Sequence, residues 1–164
     1  MDDECEFKTG CTIRRRAELV GIARYPKRRG ELAELIFTLK AASLGLVVSK
    51  PFGDSFPYDL VVEGGGRLAR VQVKSVFTSN RPGYFINLGA RGHAGGHRIY
   101  TPDEIDFLAA YIFAHDAWYI IPIAAIGTAT SLRLYPVPSK KKAAGRFEQY
   151  RGAWSLLTGE SQLT

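Results

Sequence analysis

The first strongly patterned stretch follows Gly30. In ELAELIFTLKAASLG the residues Leu32, Leu35, Ile36, Leu39 and Ala42 recur at helical spacing and Gly45 supplies a stop, so an amphipathic helix is expected over 31–45. The period then shortens. LVVS at 46–49, YDLVVE at 58–63 and LARVQVKSV at 68–76 are β-rich runs, and Gly64, Gly65 and Gly66 between the last two read as the turn of a hairpin. Alternation along 68–76 sends Leu68, Arg70, Gln72 and Lys74 to one side of the strand and Ala69, Val71, Val73 and Ser75 to the other. One face of this strand is polar and the other apolar.

Further along, YFINL at 84–88 reads as a strand, and LGARGHAGGHRIYT after it as a loop too polar and glycine-rich to join a core. IDFLAAYIF and AWYIIPI are almost continuously apolar or aromatic and flank the turn-like His115-Asp116, which predicts two buried strands, the first alternatively a short helix. Tyr111, Trp118 and Tyr119 fall among aliphatic residues there and belong to the expected core. LRLYPVP is expected as a last strand. AAGRFEQYRGAWSLL, with Phe147, Tyr150, Trp154 and Leu157 at helical spacing, is expected as a closing helix. Helix, several strands, helix is the order of an α/β or α+β domain built on one mixed sheet.

The length of 164 residues suits a single domain, expected over 25–158, with a basic extension at 1–24 and a tail at 159–164. No apolar run approaches the roughly 18 residues of a bilayer span, and the first residues lack the order of a signal peptide, so a cytoplasmic protein without a membrane partner is expected. Cys5 and Cys11 are too few for a disulfide framework and read as reduced thiols. The net charge of +6 and pI near 9.4 point to a polyanionic partner. The charge is clustered: Arg14, Arg15, Arg16, Arg24, Lys27, Arg28 and Arg29 lie in one window, and Lys140, Lys141, Lys142 and Arg146 in another.

Hydrolysis of a phosphodiester calls for a divalent cation that activates water and stabilises charge on the phosphate, hence for oxygen ligands aimed at one point. Asp59, after the turn-rich GDSFP and at the start of a strand, is the first candidate. Gln72 and Lys74 alternate onto one face of the hairpin, a face that Asp59 can share. A lysine so placed either orients or deprotonates the attacking water or stabilises the transition state, and the sequence leaves that choice open.

The segments KRRGELAEL at 27–35, YDLVVE at 58–63, VQVKS at 71–75, WYIIPI at 118–123 and FEQYRGAW at 147–154 occur in an order that resembles the PD-(D/E)XK nuclease superfamily. The resemblance is nearest to the branch of a small group I intron homing endonuclease and of related bacterial and archaeal endonucleases, including those similar to Holliday junction resolvases. It implies a restriction-endonuclease-like core, a mixed sheet flanked by an N-terminal and a C-terminal helix. It further implies a site of Glu34, Asp59, Gln72 and Lys74, in which Glu34, Asp59 and Gln72 hold Mg²⁺, with Mn²⁺ as a substitute. DNA would be the substrate, cut by water to leave a 5′-phosphate, with Arg14, Arg15, Arg16, Lys27, Arg28 and Arg29 as phosphate contacts. Because one site cuts one strand, a homodimer or homotetramer is implied. Two departures stand out: Gln72 occupies a position that is usually acidic, and Tyr58, not proline, precedes Asp59, with Pro57 one place earlier. A DNA-binding module that keeps the fold without the cutting is the alternative.

Other candidate residues carry less. Glu31 is the alternate to Glu34, or a carboxylate near the helix N-terminus. His93 and His97 have a spacing that suits a metal on a helix, but their glycine-rich surroundings favour a loop or a DNA contact over zinc. Asp103, Glu104 and Asp106 are expected as turn or cap residues ahead of a strand.

Overall fold

In the computed structural model, which describes residues 25–53, 55–78, 83–91, 97–137 and 145–159, the first helix, α1, runs Pro26–Ser43. Arg14, Arg15, Arg16, Cys5, Cys11, His93 and Lys140 to Lys142 lie outside the described residues. Pro26 stands at the first helical position, where its missing N–H costs no bond and its φ already suits a helix. At the other end the chain turns through Gly45 at φ 78°, and the N–H groups of Leu44, Gly45 and Leu46 donate to the last-turn carbonyls of Ala41 and Ala42.

The helix buries a different stripe from the one its leucines suggest. Ala33, Phe37 and Ala41 are fully covered, whereas Leu35 is 68% and Leu39 74% exposed; Leu32 and Ile36 pack at the margin. Apolar residues nearly encircle this helix, so periodicity alone does not choose a face. The choice falls to shape: two alanines let the backbone come close to the sheet, and Phe37 fills the gap against Trp118 and Trp154, ring centroids 5.4 and 5.1 Å away.

The sheet has five strands in the order β1 (Val47–Ser49), β2 (Leu60–Gly64), β3 (Arg67–Val76), β7 (Phe107–Ile112) and β8 (Ala117–Pro122). β1, β2 and β3 form an antiparallel meander, β3 and β7 are parallel, and β7 and β8 are antiparallel, so the sheet is mixed as expected. Gly65 and Gly66, at φ 56° and 72°, make the tight turn of the expected β2–β3 hairpin. IDFLAAYIF is a strand and not a helix. Two further ribbons stand apart from this sheet, where one sheet was expected: β4 (Tyr84–Asn87) pairs with β9 (Ser131–Leu134), and β5 (Ala90–Arg91) with β6 (His97–Arg98).

β7 and β8 are covered on both faces. Leu108, Ala110, Ile112, Tyr119 and Ile121 join one core with Ile86, Leu132 and Leu134 from the β4–β9 ribbon; Ala109, Tyr111, Trp118 and Ile120 join the other, under α1. This is why their sequences read as unbroken apolar runs. A short helix α2 (Ile123–Ile126) follows β8.

The closing helix expected over 143–157 is reduced to a 3-10 turn at Glu148–Tyr150 and the short helix α3 (Ser155–Thr158). Between them Arg151 bridges to Tyr119 on the β8 edge, the N–H of Gly152 donates to the carbonyl of Trp118 at 2.8 Å, and Gly152 has φ 63°. The sheet edge has taken the backbone bonds that a continuous helix needs. Phe147, Trp154 and Leu157 are nevertheless buried.

Candidate active site at the start of β2

Asp59 lies one residue ahead of β2, and its N–H extends the hairpin ladder by donating to the carbonyl of Val71 at 3.0 Å. That register holds its side chain over β3. The Oδ2 atom accepts from Gln72 Nε2 at 2.5 Å and from the backbone N–H of Val73 at 2.8 Å. Gln72 Nε2 also donates to the carbonyl of Val73 at 3.2 Å. At 7% exposure, Gln72 is the only buried polar side chain among the described residues. A buried amide is tolerated only when bonded, so Gln72 and Asp59 restrain each other.

Val71 and Val73 face the core under α1, and Gln72 and Lys74 alternate to the opposite side, as expected. Glu34 comes from α1 itself, and its charge is close enough to Asp59 to raise the Asp59 pKa. Glu31, the alternate carboxylate, is exposed. The four residues expected as a site are therefore drawn from three elements: Glu34 from α1, Asp59 from the entry to β2, and Gln72 and Lys74 from β3.

The electrostatics are strained in opposite directions. Burial pushes the Asp59 carboxyl up to about 6; Glu34 adds to the rise, while the Val73 N–H, Lys74 and Lys50 oppose it. Burial likewise pulls the Lys74 ammonium below its ordinary value, against the attraction of Asp59. Lys74 Nζ sits over the Tyr100 ring, 5.5 Å from its centroid. Buried carboxylates and amines with displaced pKa values gather where chemistry is done.

Lys50 was not foreseen. It follows β1 and forms an ion pair with Glu34 Oε2 at 2.6 Å. In the sequence it is one more lysine at a strand end, the usual place for a solvated charge. Asp106 and Arg70 also pair, outside this cluster: Arg70 Nε and one terminal nitrogen reach the two Asp106 oxygens at 3.0 and 2.9 Å. Glu104 accepts from the Thr101 N–H at 3.1 Å, so the acidic run ahead of β7 does hold turns, as expected.

Lys27, Arg28 and Arg29 occupy the first turn of α1, which contains no acidic residue. Cations at this positive end of the helix dipole are unfavourable unless an anion joins them. Arg28 lies over the Tyr25 ring at 5.5 Å, and Arg29 Nε is buried without a hydrogen-bond partner. Glu34 is about two helical turns further along the same helix.

The PD-(D/E)XK endonuclease profile matches residues 25–153. The chain belongs to the PD-(D/E)XK endonuclease family. A solved structure of a bacterial homing endonuclease, I-Ssp6803I, is 28% identical, superposes with a TM-score of 0.72, and is covered over 93% of its length by 81% of this chain. The restriction-endonuclease-like fold is thereby shown. A crystal structure of MepB is 12% identical with a TM-score of 0.46 over 72% of this chain and 93% of that one, too distant to inform the site. No curated protein matches the chain.

Family members commonly use a divalent cation, and the donors here fit one. Two carboxylates converge with burial driving the pKa of one of them upward, a strain that bound positive charge relieves. Among the described residues no group of three His, Cys, Asp or Glu side chains forms a metal site. Gln72 is adjacent, but its Nε2 faces Asp59; offering Oε1 instead requires the amide to turn over. No helix among the described residues is long and apolar enough to cross a membrane.

Proposed function

We propose that this protein is a divalent-cation-dependent DNA endonuclease that hydrolyses phosphodiester bonds by attack of an activated water, with Glu34, Asp59, Gln72 and Lys74 as its active site. The observation that carries this reading is the convergence of Glu34, Asp59 and the half-buried Lys74, with the Asp59 pKa raised and the Lys74 pKa lowered, in a chain of the PD-(D/E)XK family. The likeness to a homing endonuclease supports DNA as the substrate. Arg14, Arg15 and Arg16 with Lys27, Arg28 and Arg29 are proposed as its phosphate contacts.

Glu34, Asp59 and the Gln72 amide oxygen would hold Mg²⁺ or Mn²⁺. Bound there, such a cation polarises the phosphate and lowers the pKa of an attached water. The chain's own groups do the remainder. The Val73 N–H fixes the Asp59 carboxylate on the sheet, so the ligand is held in place before substrate arrives. Lys74 offers positive charge to the phosphate in its charged form and accepts a proton from water in its neutral form; burial brings the two forms closer in energy. One chain supplies one such site, so cutting both strands takes two copies, as a homodimer or homotetramer.

The test is incubation of the purified protein with labelled linear, branched and single-stranded DNA in Mg²⁺, Mn²⁺ or EDTA. Cleavage that EDTA abolishes is expected. Retardation of DNA without cleavage in any cation would identify a binding module instead.

A further inference from the structure

Lys50 and Glu34 hold each other at the margin of the cluster. The Glu34 carboxylate is largely covered, 19% exposed, while the Lys50 side chain is 64% exposed and reaches it with its tip, Nζ to Oε2 at 2.6 Å. Its charge is also felt at Asp59. Two carboxylates, Glu34 and Asp59, are thus matched by two ammonium groups, Lys50 and Lys74. A divalent cation bound by both carboxylates adds two charges to a balanced cluster, and it needs the same carboxylate that Lys50 occupies. An ammonium so close to a ligand oxygen repels it.

From this we infer that Lys50 competes with the divalent cation for Glu34 and, once displaced, pairs with a phosphate of the DNA, so that metal and DNA binding are coupled through one carboxylate. The inference rests on the nuclease reading above. Lys50 is suited to such an exchange: a lysine is a point charge on a flexible four-carbon stem, and here that stem lies largely in solvent. The displaced ammonium stays at the mouth of the cluster, where a polyanion restores the charge balance. Linkage makes the coupling reciprocal: DNA that takes Lys50 strengthens metal binding, and metal that frees Lys50 strengthens DNA binding by the same factor.

Lys50→Met removes the charge and keeps the stem. In calorimetric titration with Mn²⁺, without DNA, Lys50→Met should bind the metal about three- to tenfold more tightly than wild type, the scale of one nearby unit charge in a solvated site. Lys50→Arg should stay within about twofold of wild type on the same scale. Binding of a labelled duplex, followed by anisotropy with and without Ca²⁺, should show that the cation's enhancement of DNA affinity shrinks in Lys50→Met. If Lys50 merely fixes the Glu34 rotamer, Lys50→Met binds Mn²⁺ more weakly, and an unchanged or weakened constant overturns the inference. Lys50→Gln, measured in parallel, serves if Lys50→Met proves misfolded by circular dichroism. Asp59→Asn separates the two readings. If it leaves Mn²⁺ affinity unchanged, the metal site itself is misassigned; if it weakens binding while Lys50→Met does not tighten it, only the role of Lys50 falls.

Discussion

Arg70, Gln72 and Lys74 share one face of β3, yet the two ends of that short row behave oppositely. At Arg70 every charge is answered. Its guanidinium bonds both Asp106 oxygens and the carbonyls of Asp103 and Pro102, its N–H donates to Asp106 Oδ2 at 2.7 Å, and its carbonyl accepts from the Asp106 N–H. The Asp106 carboxyl is held below its usual range by that guanidinium. Four residues later Lys74 is pulled down and Asp59 pushed up, each mainly by burial. The first cluster fastens β3 to the start of β7 and is complete in itself. The second keeps a cost of burial on Asp59 and Lys74 that their own contacts do not cancel, the mark of a candidate site more than of a clamp.

The sharpest separation between these clusters is expected from Lys74→Ala. It should reduce single-turnover cleavage by about 10²- to 10³-fold, the loss on removing one group that meets developing charge, while duplex affinity stays within a few-fold. Cleavage at the wild-type rate would sink the assignment of the site.

Next in size is Asp59→Asn in metal-free protein. A carboxyl raised from 3.8 to about 6 adds stability that is fully present below pH 3.8 and lost as pH rises through 6, so ionised Asp59 costs at most about 3 kcal/mol at neutral pH. Thermal melts in EDTA should therefore show Asp59→Asn gaining on wild type between pH 4 and 7 and level with it below. Added Mn²⁺ should reverse the order, because only wild type binds it well.

Arg70→Met should destabilise by about 1–2 kcal/mol, charge-assisted bonds discounted for partial exposure. Its pH dependence has the opposite sign. The Asp106 contribution is present above the ordinary carboxyl pKa and lost as pH falls through its depressed value, so denaturant melts of Arg70→Met and wild type should converge in acid. Cleavage per folded molecule should be unaffected.

Gln72→Glu is the most delicate probe. As a ligand, a third carboxylate should lower the Mn²⁺ dissociation constant several-fold in calorimetry, with no necessary gain in cleavage, since added negative charge repels the phosphate. If Gln72 only braces Asp59 through its N–H, Gln72→Glu instead sets two carboxylates against each other, and metal-free melts should show a loss of stability that Mn²⁺ does not restore.

Much of this architecture was legible along the chain because it is local. Helix α1, the β2–β3 hairpin and the doubly covered β7 and β8 follow from spacing, a glycine turn and continuous apolar runs, and alternation alone put Gln72 and Lys74 together. The buried face of α1 was not legible, since its leucines mark the opposite face and Ala33, Phe37 and Ala41 win by fit. Nor was the breakdown of the closing helix, where the β8 edge outbid helical bonding at Arg151 and Gly152. Glu34 entered the candidate set by family likeness and not by pattern.

The sequence by itself determined the five strands of the main sheet, the two faces of β3, the basic character of the chain and the three candidate residues within 59–74, but not the β5–β6 ribbon, which falls in a segment read as loop. Tertiary structure decided that β3 and β7 run parallel, that Asp106 belongs to Arg70 rather than to the acidic cluster, and that Lys50 meets Glu34. The division has a physical cause: side-chain direction depends on the backbone repeat of a few residues, whereas charge pairing and pKa depend on distance and burial, which exist only once segments far apart in sequence have packed.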